Sequence, residues 1–327
     1  MTASADVAYK VLSRDHNLPL VIEPAGDRAE VNADALISWH SDNRDFAEQK
    51  LLEHGAILFR GFNIRTPSAF SRFVKSVSNN LLGYVDGNSP RTKITDGIYT
   101  STEYPAEFFI SLHNELSYSK RWPSKLFFCC IVAPREGGAT PIADCRAILK
   151  SLPSEIVESF ASKRVRYVRN LHGGRGLGIS WQDTFETDDR DVVEKFCSEA
   201  SIDFEWRYDG WLRLTQVGPG VETHPATGEK VWFNQADQFH PSNNQKDVFE
   251  SLKAINREGE DNFPQNACFG DGTAIDASML DRVRETVRQH MVCFPWQDGD
   301  ILMLDNMLTC HGRMPYKGPR KVLVSML

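Results

Sequence analysis

The stretch FFISLHNELSY, residues 108–118, read together with DNMLTCHGR, residues 305–313, decides how this chain is understood. In an extended segment successive side chains alternate between faces, so positions i and i+2 project together. His113 and Glu115 therefore offer one imidazole and one carboxylate to a common point, and His311 is the candidate third donor. Two histidines and a carboxylate on one face of an octahedron leave three positions open, the donor set that suits non-heme Fe(II) and oxygen chemistry. An isolated H-x-E is more often the polar edge of a surface strand. Here the flanks are apolar and aromatic, Phe108 to Ile110 before and Leu126 to Phe128 after. A carboxylate in that neighbourhood needs a metal or a partner charge to compensate it.

Outward from this pair, most of the chain reads as strand with helices early and between. Thr66-Pro67 opens a helix with a capping hydroxyl and a first-turn proline, and Phe70, Phe73, Val74 and Val77 follow at core spacing. Phe46 to His54 reads as a helix stopped by Gly55, and Ala56 to Phe59 as a buried strand. Further helices are expected from Pro153 and over Asp276 to His290. Phe204, Trp206 and Tyr208 alternate with polar partners before an Asp209-Gly210 turn and a strand from Trp211 to Leu214. Thr227-Gly228 turns into Val231-Trp232-Phe233, Gln297 to Asp300 joins Val292–Trp296 to Ile301–Leu304, and Lys321 to Met326 is a final strand. The fold class is α+β, mainly β: a double-stranded β-helix (jelly-roll) core buttressed by helices. Without repeats or a low-complexity linker, residues 1–327 read as one domain, with an N-terminal arm over about 1–40 and a lid over about 86–109.

A net charge of −7 argues against nucleic acid and against an anionic membrane surface as partner. The N-terminus shows no apolar leader, and the longest apolar run, Leu126 to Ala133, is too short to span a bilayer, so the cytoplasm is the expected compartment. Seven cysteines without a C-x-x-C pair read as reduced thiols, and Cys310 beside His311 as packing. No heptad or isolated apolar face indicates an oligomeric state.

Four further groups are candidates. Arg320 presents a planar fork suited to a carboxylate, and Thr140, in GGATP, adds a hydroxyl to the same anion; their plain alternatives are a solvated charge and a turn. Arg91, inside the lid, meets a substrate anion or is solvated. Trp232, Asn234 and Phe239 are candidate substrate-pocket residues, although aromatics at strand spacing are more often core. Arg313, two residues past His311, is a candidate support for the ligands.

The collinear set RGF (60–62), HNE (113–115), GGATPIAD (137–144), GEKVWFN (228–234), WQDGD (296–300) and DNMLTCHGRMPYKGPRKVLV (305–324) resembles the taurine dioxygenase and clavaminate synthase-like family. The resemblance runs from Arg60 to the C-terminus. It implies an Fe(II)- and 2-oxoglutarate-dependent dioxygenase that consumes O2 and releases succinate and CO2. His113, Glu115 and His311 then resemble the iron ligands, and Thr140 and Arg320 the pair that holds the distal carboxylate of 2-oxoglutarate. Within the family HNELSY and GEKVWFN look closest to the syringomycin-biosynthesis hydroxylase type, which implies hydroxylation of an amino acid or a carrier-protein-bound aminoacyl group in antibiotic-type secondary metabolism. Family members acting on free acids carry a second arginine four residues after the Arg320 position. Here that position is Val324, which favours a substrate without a free carboxylate. Related halogenases replace the carboxylate ligand by a small residue; Glu115 argues for hydroxylation, desaturation or epoxidation. The competing expectations are an oxygenase of a free small acid and a jelly-roll metal binder without oxygen chemistry, in which zinc would occupy the same donors.

Overall fold

The computed structural model describes residues 6–25, 31–87, 89, 91–207, 210–255, 259 and 262–327. The expected turn residue Asp209 and Tyr208 lie outside these residues, as do 1–5 and 26–30 of the arm and 88 and 90 of the lid.

An eight-stranded sheet forms the larger wall of the jelly roll. In spatial order its strands are Val7–Ser13, Leu18–Pro24, Ala56–Phe59, Ile301–Asp305, Lys125–Val132, Lys321–Met326, Ile98–Thr100 and Lys93–Thr95. All neighbours pair antiparallel except Leu18–Pro24 with Ala56–Phe59. The central strands are apolar on both faces because both are covered. Ile57, Phe59, Phe127, Cys129, Ile301 and Met303 pack under helices, with Leu36, Trp39, Leu51, Phe70 and Phe73. The alternate residues Ala56, Leu58, Leu126, Phe128, Leu302 and Leu304 face the interior with Ile142, Phe294 and Trp296. Period-2 alternation thus divides each strand between two cores.

The smaller wall is a three-stranded sheet of Ile110–His113, Thr309–Arg313 and Ile142–Asp144. It closes over the interior face, and His311 lies opposite His113 in its register. A four-stranded sheet, Asp203–Trp206, Leu212–Gly218, Val165–Leu171 and Gln265–Phe269, extends the frame.

The local signals translate directly into backbone. Thr66 Oγ1 accepts from the Ala69 N–H at 3.1 Å, starting helix Pro67–Val77. Gly55 ends helix Arg44–His54 at φ 69°, its N–H donating to the Leu51 carbonyl at 2.7 Å; that left-handed conformation suits glycine. Helices Ser154–Lys163 and Ala277–Gln289 and the hairpin of Val221–Thr223 with Lys230–Trp232 stand where expected.

One expectation is corrected, and two segments take part in the larger sheet. Val292 to Trp296 forms no strand; only Val292 bridges, to Ile142, because Pro295 has no N–H to donate while Phe294 and Trp296 turn inward. The arm is built into the larger sheet as strands Val7–Ser13 and Leu18–Pro24. Part of segment 86–109, the expected lid, is sheet edge: Lys93–Thr95 pairs with Ile98–Thr100, which pairs with the C-terminal strand.

Two motifs separated by 240 positions meet in one ion pair. Arg60 holds Asp300 with both fork arms, Nε to Oδ1 at 3.0 Å and Nη2 to Oδ2 at 2.7 Å, and Nη2 also donates to the Pro295 carbonyl at 2.9 Å. RGF and WQDGD are therefore a single structural joint, locking the loop that feeds strand Ile301–Asp305.

Candidate active site

His113 ends its strand, and the chain turns at once over Asn114 to Ser117, with Leu116 left-handed at φ 54°. Glu115 is thus in a turn, not on the strand's alternating face, and its convergence with His113 has another cause. Asn306 clamps the peptide units: its Oδ1 accepts from the Glu115 N–H at 2.8 Å, and its Nδ2 donates to the Glu115 carbonyl at 2.9 Å. Asn114 Nδ2 donates back to the Asn306 carbonyl at 2.6 Å. Asn306 is fully buried, five residues before His311, and ties together the two segments that carry the candidate donors. Sequence reading passed it over; its one signal was its place in the DNM turn of the C-terminal motif.

Through this clamp His113, Glu115 and His311 offer donor atoms all within 4.8 Å of one another, the three side chains being buried. The imidazole centroids are 4.6 Å apart, and His311 Nε2 is 3.6 Å from Glu115 Oε2. The ring of Phe128, on the larger sheet, lies 4.9 Å from that of His311 and fixes it from behind. His113 Nδ1 donates to the Ser111 carbonyl at 2.9 Å, which leaves Nε2 with a free lone pair, the usual device for aiming a metal-binding imidazole. Burial and the neighbouring His311 pull the His113 pKa down to about 4, so the ring is neutral, as a ligand must be. Burial works to raise the Glu115 carboxyl, but Arg91 and the two imidazoles outweigh it and hold the group well below the usual carboxylate range. A charged carboxylate beside the neutral His113 imidazole, with His311 as third donor, fits ferrous iron.

Arg91 is not solvated. Its guanidinium is buried, donates from Nη2 to Glu115 Oε2 at 2.8 Å and lies 4.0 Å from the Tyr84 ring. It orients the carboxylate.

Arg320 and Thr140 line a small recess of about 20 Å³ with His113, His311 and Arg313. Arg320 Nε donates to the Gly138 carbonyl at 2.9 Å and Nη1 to Ser101 Oγ at 3.2 Å. No carboxylate pairs with it among the described residues. Burial and Arg313 lower its pKa to about 10, leaving it a cation in want of an anion. Thr140 Oγ1 accepts from the Trp296 indole at 3.2 Å, so its own hydrogen remains to donate. This pair fits a carboxylate of 2-oxoglutarate. The recess shares Arg91, Thr102, Ile110 and His113 with the wall of a much larger cavity, about 1220 Å³, so the two are neighbours.

Trp232 and Asn234 line the large cavity, and Phe239 does not. Phe239 is core, its ring centroid 5.0 Å from those of Tyr118 and Tyr167, because its short helix Ala236–Phe239 turns it inward. Cys310 is buried, its Sγ 3.5 Å from the Ala143 carbonyl, and is no competitor for the metal.

Arg313 reaches away from the ligand cluster to residues 104–108, within the expected lid. Its guanidinium donates to the carbonyls of Tyr104, Pro105 and Phe108 at 2.6, 2.5 and 3.1 Å. Charge-assisted bonds of this kind are worth about 1.5–3 kcal/mol each. Arg313→Ala should therefore speed amide hydrogen exchange across 104–109 by at least about tenfold, with the central sheet unaffected; unchanged protection there would show that the lid is held by other contacts.

A jelly roll with two buried imidazoles and a carboxylate at one point, and an unpaired arginine behind them, defines an Fe(II)- and 2-oxoglutarate-dependent oxygenase. The taurine catabolism dioxygenase TauD, TfdA family model matches residues 17–327, and the chain belongs to that family. It is 36% identical over 320 residues to the dapdiamide synthesis protein DdaC of Enterobacter agglomerans, covering 98% of this chain and 94% of that one. It is 31% identical over 295 residues to a clavaminate synthase-like protein of Arabidopsis thaliana, covering 86% and 84%. Among solved structures it resembles PvcB of Pseudomonas aeruginosa, with TM-score 0.57 and 14% identity over 100% of this chain and 92% of that one. PvcB is an Fe, α-ketoglutarate-dependent oxygenase from an isonitrile synthetic pathway. Membership sets aside the metal binder without oxygen chemistry. Among the described residues no helix is long and apolar enough to cross a membrane.

Proposed function

We propose that this protein is a cytoplasmic hydroxylase of an aminoacyl group held on a carrier protein, working in secondary metabolism as one domain whose segment 86–109 covers the site. His113, Glu115 and His311 hold the iron, and Arg320 with Thr140 holds the far carboxylate of 2-oxoglutarate. With both bound, the iron centre supplies an oxidant able to attack an unactivated C–H bond. The protein's own contribution is placement: Asn306 sets the ligand turn, Arg91 orients Glu115, and the large cavity presents the target carbon to the metal side of His113, since reactions this indiscriminate gain selectivity from positioning.

The observation that carries this reading is the buried two-histidine, one-carboxylate cluster, of which His113 and Glu115 line a cavity of about 1220 Å³. The similarity to a dapdiamide synthesis protein supports a role in secondary metabolism. Val324, where free-acid enzymes of the family carry an arginine, supports a masked carboxyl over a free small acid. Succinate release should be stimulated by aminoacyl thioesters on a carrier protein and not by the corresponding free amino acids; stimulation by the free acids alone would replace the tethered substrate with a free one.

A further inference from the structure

We infer that the large cavity takes an uncharged chain carrying amide groups, whose carboxyl arrives masked as an amide or thioester. This deepens the oxygenase reading above and rests on it.

The first observation is electrostatic. Every arginine of the cavity wall already faces a carboxylate. Arg91 bonds Glu115 at 2.8 Å, Arg284 bonds Asp237 and also Asp281, and Arg288 lies 3.2 Å from Glu285. No lysine lines the cavity among the described residues. The exposed wall residues Glu103, Asp183 and Glu186 add negative charge at the rim. A substrate carboxylate would enter against that charge and find each wall cation already neutralised by a protein carboxylate, Arg91 keeping Nε and Nη1 unpaired beside its bond to Glu115. An unneutralised charge in such a site is costly.

The second observation is chemical. Side-chain amides line the cavity from several separate elements: Gln182 on helix Trp181–Phe185, Asn234 and Gln235 before helix Ala236–Phe239, Gln238 within it, and Gln265 on strand Gln265–Phe269. Asn234 is engaged at both ends, by the Gly220 carbonyl and the Ala236 N–H. Gln235 and Gln265 donate to the Asn114 and Gln238 carbonyls, so the wall offers a substrate amide chiefly acceptor oxygens. Gln182 Oε1 and Gln235 Oε1 have no hydrogen-bond partner, and a buried acceptor left unpaired costs about 1–3 kcal/mol that a substrate N–H would recover. Between the amides stand Ile179, Val283 and Met291, apolar surface for methylene segments. The third observation is size. About 1220 Å³ exceeds the roughly 300–1,000 Å³ of ordinary small-ligand sites, which gives room for an extended chain.

The test is calorimetric binding under nitrogen to the Fe(II)- and 2-oxoglutarate-loaded full chain, with four probes: N-acetylalanine N-methylamide, pantetheine, N-acetylalanine and alanine. The two neutral diamides should bind at least tenfold tighter than the two carboxylates. Gln182→Leu should weaken the diamides threefold or more while leaving alanine unchanged and the iron–2-oxoglutarate absorption intact. Equal or tighter binding of either carboxylate, or no binding of the diamides, overturns the inference. Turnover separates it from the tethered reading. Carrier-bound aminoacyl groups that stay inert while the diamide preference holds remove the carrier and keep the amide-bearing class; turnover of the carrier form without that preference does the reverse.

Discussion

His113→Ala is expected to abolish substrate-triggered succinate formation and to weaken Fe(II) binding by at least about 100-fold. Loss of a partner in the outer shell of a metal site alone costs roughly 10–100-fold, and a donor contributes more than its supports. Glu115 carries a second burden, because its carboxylate also neutralises Arg91, both side chains being buried. Removing it strands a buried cation, which costs about 3–5 kcal/mol. Glu115→Ala therefore confounds folding with ligation. Glu115→Gln keeps the shape and a hydrogen-bond acceptor while removing the charge, and it is the cleaner variant. An anaerobic titration with Fe(II) and 2-oxoglutarate, followed by the weak metal-to-ligand charge-transfer absorption, reads ligation without turnover. Both variants should lose the band while melting cooperatively; full succinate formation by either would remove the ligand assignment.

Arg320→Ala should raise the KM for 2-oxoglutarate by at least about thirtyfold, with a smaller fall in kcat. Truncating one partner of a buried charged pair costs about 2–5 kcal/mol, and each 1.4 kcal/mol is a factor of ten. The guanidinium has no protein carboxylate to satisfy, so its removal leaves no stranded acid, and the fold should hold. Arg320→Lys restores charge but not the planar fork and should recover only part of the affinity. A KM unchanged in the alanine variant would place the co-substrate elsewhere.

How much of this was legible in the chain differs by kind of feature. Helix ends were, because a cap is a contact between neighbours: Thr66 with Ala69, Gly55 with Leu51. The buried strands were, because a sheet covered on both faces demands an uninterrupted apolar run such as Ala56 to Phe59. The candidate ligands were visible as residue types set among aromatics. The reason given for pairing His113 with Glu115 was incomplete, since strand alternation stops at His113 and the turn that follows is set by Asn306. Phe239 was misplaced because periodicity does not say which side of a four-residue helix meets the core. Arg91 read as equally fit for solvent because its partner lies 24 residues away.

The sequence by itself determined which residues can bind metal and anion, where helices begin and end, and that a β-rich core must form, since each of these follows from side-chain chemistry or from contacts a few positions apart. Only the tertiary structure decided that the three donors meet, that Arg60 closes on Asp300, that Arg91 belongs to Glu115, and that the cavity wall is amide-rich with its cations already engaged. These are encounters between segments tens to hundreds of positions apart. Their geometry is fixed by sheet register and core packing, which no local pattern encodes.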